Sequence, residues 1–149
     1  MPAQAGIQFL FSYPVALGPR FRGDERNLGS NLAQPVTTRS GPLMSVPYPI
    51  EINDSPMMLV RHHTAVDFER MIVDQFDEML QQSERHPLVC GIALHTMIMG
   101  QPYRLRALRR ALKHIVDHPQ RAKIWFTRPG EIFDHCARLK AGLVPGSKS

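Results

Sequence analysis

His95 is the residue of this chain best placed to do chemistry. Leu88 to Pro102 reads LVCGIALHTMIMGQP: an apolar run ends in His95, and a loop leads on to Pro102, which suits the first turn of a helix. In α/β enzymes a buried strand holds a reactive side chain at its C-terminal end, at a mouth built from loops. Imidazole titrates near neutral pH, so a histidine there can give or take a proton. The plainer alternative is a ring satisfied by loop backbone, and nothing upstream supplies an obvious partner. Asn53 and Asp54 form a second candidate group at the end of an extended segment. They could line a pocket or simply shape a turn, since both residue types favour turns through local hydrogen bonds. His114 and His118 form H-x-x-x-H, which puts both rings on one helix face. Two imidazoles one turn apart can share a zinc, but a third ligand is needed and none is evident nearby, so no metal site is expected. His62 and His63 stand in a loop before a helix cap, either near the mouth or in solvent.

The elements that must position these groups are legible from Leu43 onward. Leu43 to Ile52 (LMSVPYPIEI) reads as an extended segment, irregular or edge-like because of Pro47 and Pro49. Thr64 can cap the next helix with Asp67 at the third helical position, in a capping-box arrangement. Phe68, Met71, Ile72, Phe76, Met79 and Leu80 then mark one face at helical spacing. Arg85 to Pro87 turn the chain into the strand Leu88 to Leu94. Beyond Pro102, Leu105, Leu108, Leu112 and Ile115 give the buried stripe of a second helix, with Arg104, Arg106, Arg109, Arg110 and Lys113 around it. Lys123 to Thr127 is a short strand, with Trp125 and Phe126 expected in the core. Pro129 opens a third helix facing Ile132, Phe133, Cys136 and Leu139 inward. The order β, α, β, α, β, α implies a parallel sheet with right-handed crossovers.

Composition is that of an ordinary globular protein: of 149 residues, 43% are hydrophobic and 21% charged, with a formal charge of +5. Two cysteines, Cys90 and Cys136, fall within apolar patterns, as reduced thiols of a cytoplasmic protein would. No apolar run approaches the ~20 residues of a membrane span, and Gly6 to Gly18 lacks the basic leader of a signal peptide. The arginine-rich helix has no aromatic interleaving and matches no DNA-binding module, so a nucleic-acid partner is not expected. Long arginine stems commonly cover an outer surface.

Residues 1–42 differ from the rest. They are rich in Pro, Gly, Ser, Asn and Gln, and no helical or strand period persists through them. PAQAGIQ followed by LGPRFRGDER resembles the translation of a dispersed bacterial intergenic repeat; a flexible basic tail is the alternative. The expected organisation is a disordered or non-homologous segment at 1–42, a folded portion at 43–141 and a flexible tail at 142–149.

Four stretches carry a resemblance to a known family: VPYPIEINDSP at 46–56, FERMIVDQFDEML at 68–80, GIALHTMIMGQPYRLRALRRAL at 91–112, and IWFTRPGEIFDHC at 124–136. Together they resemble the C-terminal part of the polysaccharide deacetylase (NodB-like) superfamily, on the branch that includes cofactor-independent allantoinases. The resemblance implies a fold class of α/β type, a partial (β/α) barrel of about three βα units. It also implies cleavage of a C–N bond in an N-acetylated sugar or related amide. His95 matches the histidine that protonates the departing nitrogen, and Asn53 and Asp54 match pocket-lining positions. Full-length relatives often bind a divalent metal through an Asp-rich motif and a paired-histidine motif near the N-terminus. Neither occurs here, so no cofactor is expected in this chain.

The first expectation is therefore a truncated deacetylase-like hydrolase with a small-molecule or carbohydrate substrate. The alternative is a catalytically silent remnant, or one half of a split protein acting through a complementary N-terminal fragment or a second copy of itself. A three-strand sheet exposes unpaired edges that such a partner would cover.

Overall fold

The computed structural model describes residues 7–12, 34–38, 41–84 and 88–139. Strand β4 (Leu88–Ala93) follows helix α1 (Ala65–Gln82), and strand β5 (Ile124–Thr127) follows helix α3 (Pro102–Val116). Both strands pair in parallel with β1 (Ile7–Ser12), giving the order β4-β1-β5, with Ile7 opposite Leu88 on one side and Ile124 on the other. Strands β2 (Gln34–Thr38) and β3 (Gly41–Ser45) form a separate antiparallel pair. Short helix α2 (Thr96–Met99) follows β4, and α4 (Pro129–Ala137) follows β5. Strands β4 and β5 lie in a parallel sheet with helical crossovers as expected, but their shared neighbour is β1 and not the segment from Leu43, and no closed barrel forms among the described residues.

Strands β1 and β2 both lie within residues 1–42, where no strand period was read. IQFLFS is a short apolar run between Gly6 and Pro14, enough for a strand that borrows both neighbours. Composition taken over the whole segment conceals it. The edge strand expected at Leu43 to Ile52 is also shorter than read, because β3 ends at Ser45 and the prolines at 47 and 49 lack the N–H that a ladder needs. The chain nevertheless runs close to β4. A Cβ on Gly91 would lie 2.9 Å from Pro49 Cδ, and the Ala93 N–H donates to the Ile52 carbonyl at 2.9 Å. An isolated parallel bridge, Asn53 to Ala93, completes this docking. The turn at 85–87 and the tail at 142–149 lie outside the described residues.

Helix α1 forms as its sequence dictates. Thr64 Oγ1 accepts the Asp67 N–H at 3.2 Å, and Asp67 Oδ2 accepts the Thr64 N–H at 2.9 Å, which satisfies two amide donors that every helix start leaves open. The side-chain and backbone bonds from Thr64 hold the Asp67 carboxyl below its ordinary value of 3.8. Phe68, Ile72, Phe76, Met79 and Leu80 are buried as expected, and Met71 half so. They pack with Cys90 and Ile92 of β4 and with Met99, Ala111 and Ile115.

On α3 the buried face is turned from the expected one. Ala107, Leu108, Ala111 and Ile115 are buried while Leu105 and Leu112 are half-buried, because small alanines permit the closest approach to α1. Two aromatic expectations also fail. Trp125 is 38% exposed and stacks edge-on with His135, and Phe133 is 48% exposed. On α4 Ile132 alone is fully buried, packing with Val89 and partly buried Cys136. Cys90 and Cys136 are free thiols, and burial pushes Cys90 up to about 12.

A histidine held by a buried carboxylate

Parallel strands put all their C-terminal ends on one side, and there β4 delivers Leu94 and His95. His95 has extended backbone and stands as the N-cap of α2. Its own carbonyl accepts from Ile98 and Met99, so the chain turns tightly behind it. Gly100 closes that turn: a Cβ there would meet the Thr96 carbonyl oxygen at 2.2 Å. The GQP motif therefore shapes the loop, and Pro102 restarts the helix.

Asp54 lies against His95 and is closed to solvent, with 0% of its side chain exposed. Its Oδ2 accepts the His95 backbone N–H at 2.8 Å, and its Oδ1 lies 2.6 Å from His95 Nδ1. One carboxylate thus grips both the main chain and the ring of a single residue. With the carboxylate as acceptor, the short ring contact puts the proton on Nδ1 and leaves Nε2 facing away from Asp54. Nε2 has no hydrogen-bond partner among the described residues, and the ring is 30% exposed. This is the geometry of an acid–base histidine oriented by an aspartate.

The residues read from sequence as one pocket thus divide. Asp54 is fully buried and reaches His95, a partnership that was not legible because 41 positions separate the two residues. Asn53 is half-buried, and its Oδ1 accepts the Ser55 N–H at 3.1 Å. That bond shapes the chain just ahead of a π-helical turn at Pro56–Val60, which seats Met57 and Met58 in the core. His62 is exposed and takes the left-handed conformation (φ 57°), where the chain leaves that turn for α1.

The basic surface of α3 is largely engaged. Arg110 forms a forked ion pair with Glu69 of α1, Lys113 pairs with Asp117, and Arg104 donates to the Ile98 carbonyl. Among the described residues no set of metal-ligating side chains gathers round His95. Among the described residues, the set that could hold an ion, Asp77, His114 and His118, belongs to α1 and α3.

No protein-family model matches the chain. A Schizosaccharomyces pombe protein described as a polysaccharide deacetylase is 30% identical over 93 residues, which is 58% of this chain and 29% of that protein. The crystal structure of a protein described as a polysaccharide deacetylase from Pseudomonas aeruginosa PAO1 superposes with a TM-score of 0.65 at 27% identity. It covers 73% of this chain and 36% of its own. The structure of Puue allantoinase superposes with a TM-score of 0.64 at 28% identity, over 71% of this chain and 35% of its own. The chain thus spans about a third of the length of the proteins it matches. Among the described residues no helix is long and apolar enough to cross a membrane.

Proposed function

We propose that this chain, a relative of the polysaccharide deacetylases and of allantoinase over part of their length, carries the acid half of a C–N hydrolase site. The substrate class is an amide: an N-acetylated sugar or a similar small molecule. The observation that carries this reading is the double grip of Asp54 on His95.

Cleaving an amide requires a proton on a poor leaving group, since an amide anion will not depart from the tetrahedral carbon unaided. His95 in its imidazolium form donates that proton from Nε2. Asp54 keeps the Nδ1–H, fixes the ring plane and stabilises the cation before transfer. After transfer the ring is neutral with its proton on Nδ1, so the same contact holds the product tautomer. Asp54 is a positioning residue in this scheme, acting through His95. Asn53 spends its Oδ1 on the turn, which leaves its Nδ2 as a donor for a substrate carbonyl or hydroxyl.

The test is a pH–rate profile on N-acetylated sugars and ureides, for the native chain and for His95→Ala and Asp54→Asn. The expected result is loss of roughly 10²–10⁴-fold in kcat/KM in both variants. Retention of the native rate by His95→Ala overturns the assignment.

A second reading is favoured by Met97 and Tyr103, which are 75% and 70% exposed on helices α2 and α3 that follow His95. Large apolar side chains beside a mouth fit a protein surface that another chain covers. In that reading the active unit contains this chain and a partner that supplies the water-activating group. Sedimentation of the purified chain with and without a complementary N-terminal fragment distinguishes a lone unit from an assembled one.

A further inference from the structure

Helices that follow parallel strands run back in the opposite direction. The C-terminal halves of α1 and α3 therefore lie at the end of the sheet remote from His95. His114 stands about 18 Å further along α3 than Pro102, at about 1.5 Å of rise per residue. At this far end α1 presents Asp77 to the two histidines of α3. Asp77 Oδ1 lies 2.7 Å from His114 Nε2 and 3.9 Å from His118 Nε2, and one donor atom from each of the three residues fits within 4.8 Å of the others.

We propose that Asp77, His114 and His118 form a binding site for a divalent transition-metal ion, Zn²⁺ or an ion of similar size and softness. Two imidazoles and a carboxylate are a donor set suited to such ions, with water filling the remaining position. Bonds of about 2.0–2.2 Å in tetrahedral array place neighbouring donors about 3.4 Å apart. The 2.7 Å contact must open a little and the 3.9 Å contact close a little. Asp77 and His114 are 45% and 37% exposed, so small rotations suffice. The rings are steadied from beneath: Phe76 meets both edge-on, with centroids 6.0 and 5.3 Å away. An open groove of about 390 Å³, bordered by Asp77, Glu84, His118 and Gln120, gives an ion access from solvent.

One contact opposes ligation through His118 Nε2. The Gln120 N–H donates to His118 Nδ1 at 3.2 Å, which places the ring proton on Nε2 in the metal-free state. Binding through Nε2 moves that proton to Nδ1 and gives up the Gln120 contact. The contact is exposed, so water replaces it. At the N-terminal end of the strands, such an ion ties α1 to α3 as a staple and takes no part in the chemistry at His95.

The probe is zinc chloride titrated into the full chain after chelation, followed by calorimetry, with Co²⁺ absorption as the spectroscopic check. Expected are one saturable equivalent per chain, a rise in thermal midpoint on loading, and at least a tenfold weakening in each of His114→Ala, His118→Ala and Asp77→Asn. Far-UV circular dichroism in chelator identifies any variant that has unfolded, and His62→Ala with His63→Ala controls for the other paired histidines. Absence of a saturable equivalent overturns the site. So does binding as tight as the native chain's by folded His114→Ala and His118→Ala variants, or loss of binding confined to the His62 and His63 variants.

Discussion

Two aspartate–histidine pairs stand at opposite ends of this molecule with nearly the same length, 2.6 Å for Asp54 with His95 and 2.7 Å for Asp77 with His114. Their surroundings differ in everything else. Asp54 is sealed from water and holds a backbone amide as well as a ring, whereas Asp77 is 45% exposed and meets imidazoles alone. Distance therefore says little about role. A sealed carboxylate has no solvent to replace its partner, so it fixes one geometry; an exposed one exchanges its partner for water, or for a cation, at little cost.

The widest separation is expected in rate. Asp54→Asn lowers kcat/KM for C–N hydrolysis roughly 10²–10⁴-fold, while Asp77→Asn leaves it unchanged in metal-free buffer; steady-state assays on the same amide panel decide. Stability separates the pairs next. His95→Ala strands a buried carboxylate with a single donor and costs about 1.5–3 kcal/mol, against at most about 1 kcal/mol for His114→Ala at the surface. Urea unfolding midpoints, compared at constant slope, measure both. Equal costs would mean that burial is not what distinguishes them.

Salt provides a smaller contrast. Raising ionic strength from about 0.1 to 1 M shortens the screening length from about 10 to about 3 Å. A double-mutant cycle on Asp77 and His114 then loses its coupling, and the cycle on Asp54 and His95 keeps it. Acid probes the helix that links the two ends, because α1 starts at the capping box and carries Asp77 further along. The folded Asp67 carboxyl is held below its ordinary 3.8, so its contribution is complete above that value. It is lost as pH falls through the lower folded value. In Asp67→Asn the part of the acid-side stability slope that belongs to this cap disappears, as measured by urea midpoints between about pH 5 and pH 2.

What the sequence disclosed was local. The Thr64–Asp67 cap, the buried face of α1 and the strand that ends at His95 all follow from residues within one or two turns of each other, where periodicity and capping chemistry act. Partnerships across the fold were hidden. Nothing in the string couples Asp54 to His95, or Asp77 to His114 and His118, because the sheet and the α1–α3 contact bring them together. A carboxylate able to join the H-x-x-x-H pair, Asp77, sits on another helix. Strand β1 was concealed by the composition around it, and Trp125 and Phe133 misled because an apolar ring at a core-like spacing can still face outward.

The double grip of Asp54 makes the backbone a reporter on the ring. The His95 amide proton and the Nδ1 proton compete for the electron density of one carboxylate, so a change of charge on the imidazole alters the strength of the amide's bond. In a nuclear magnetic resonance spectrum the His95 amide shift will follow the ring's protonation without the ring being observed. A molecule that takes the Nε2 proton will announce itself at a backbone position it never touches.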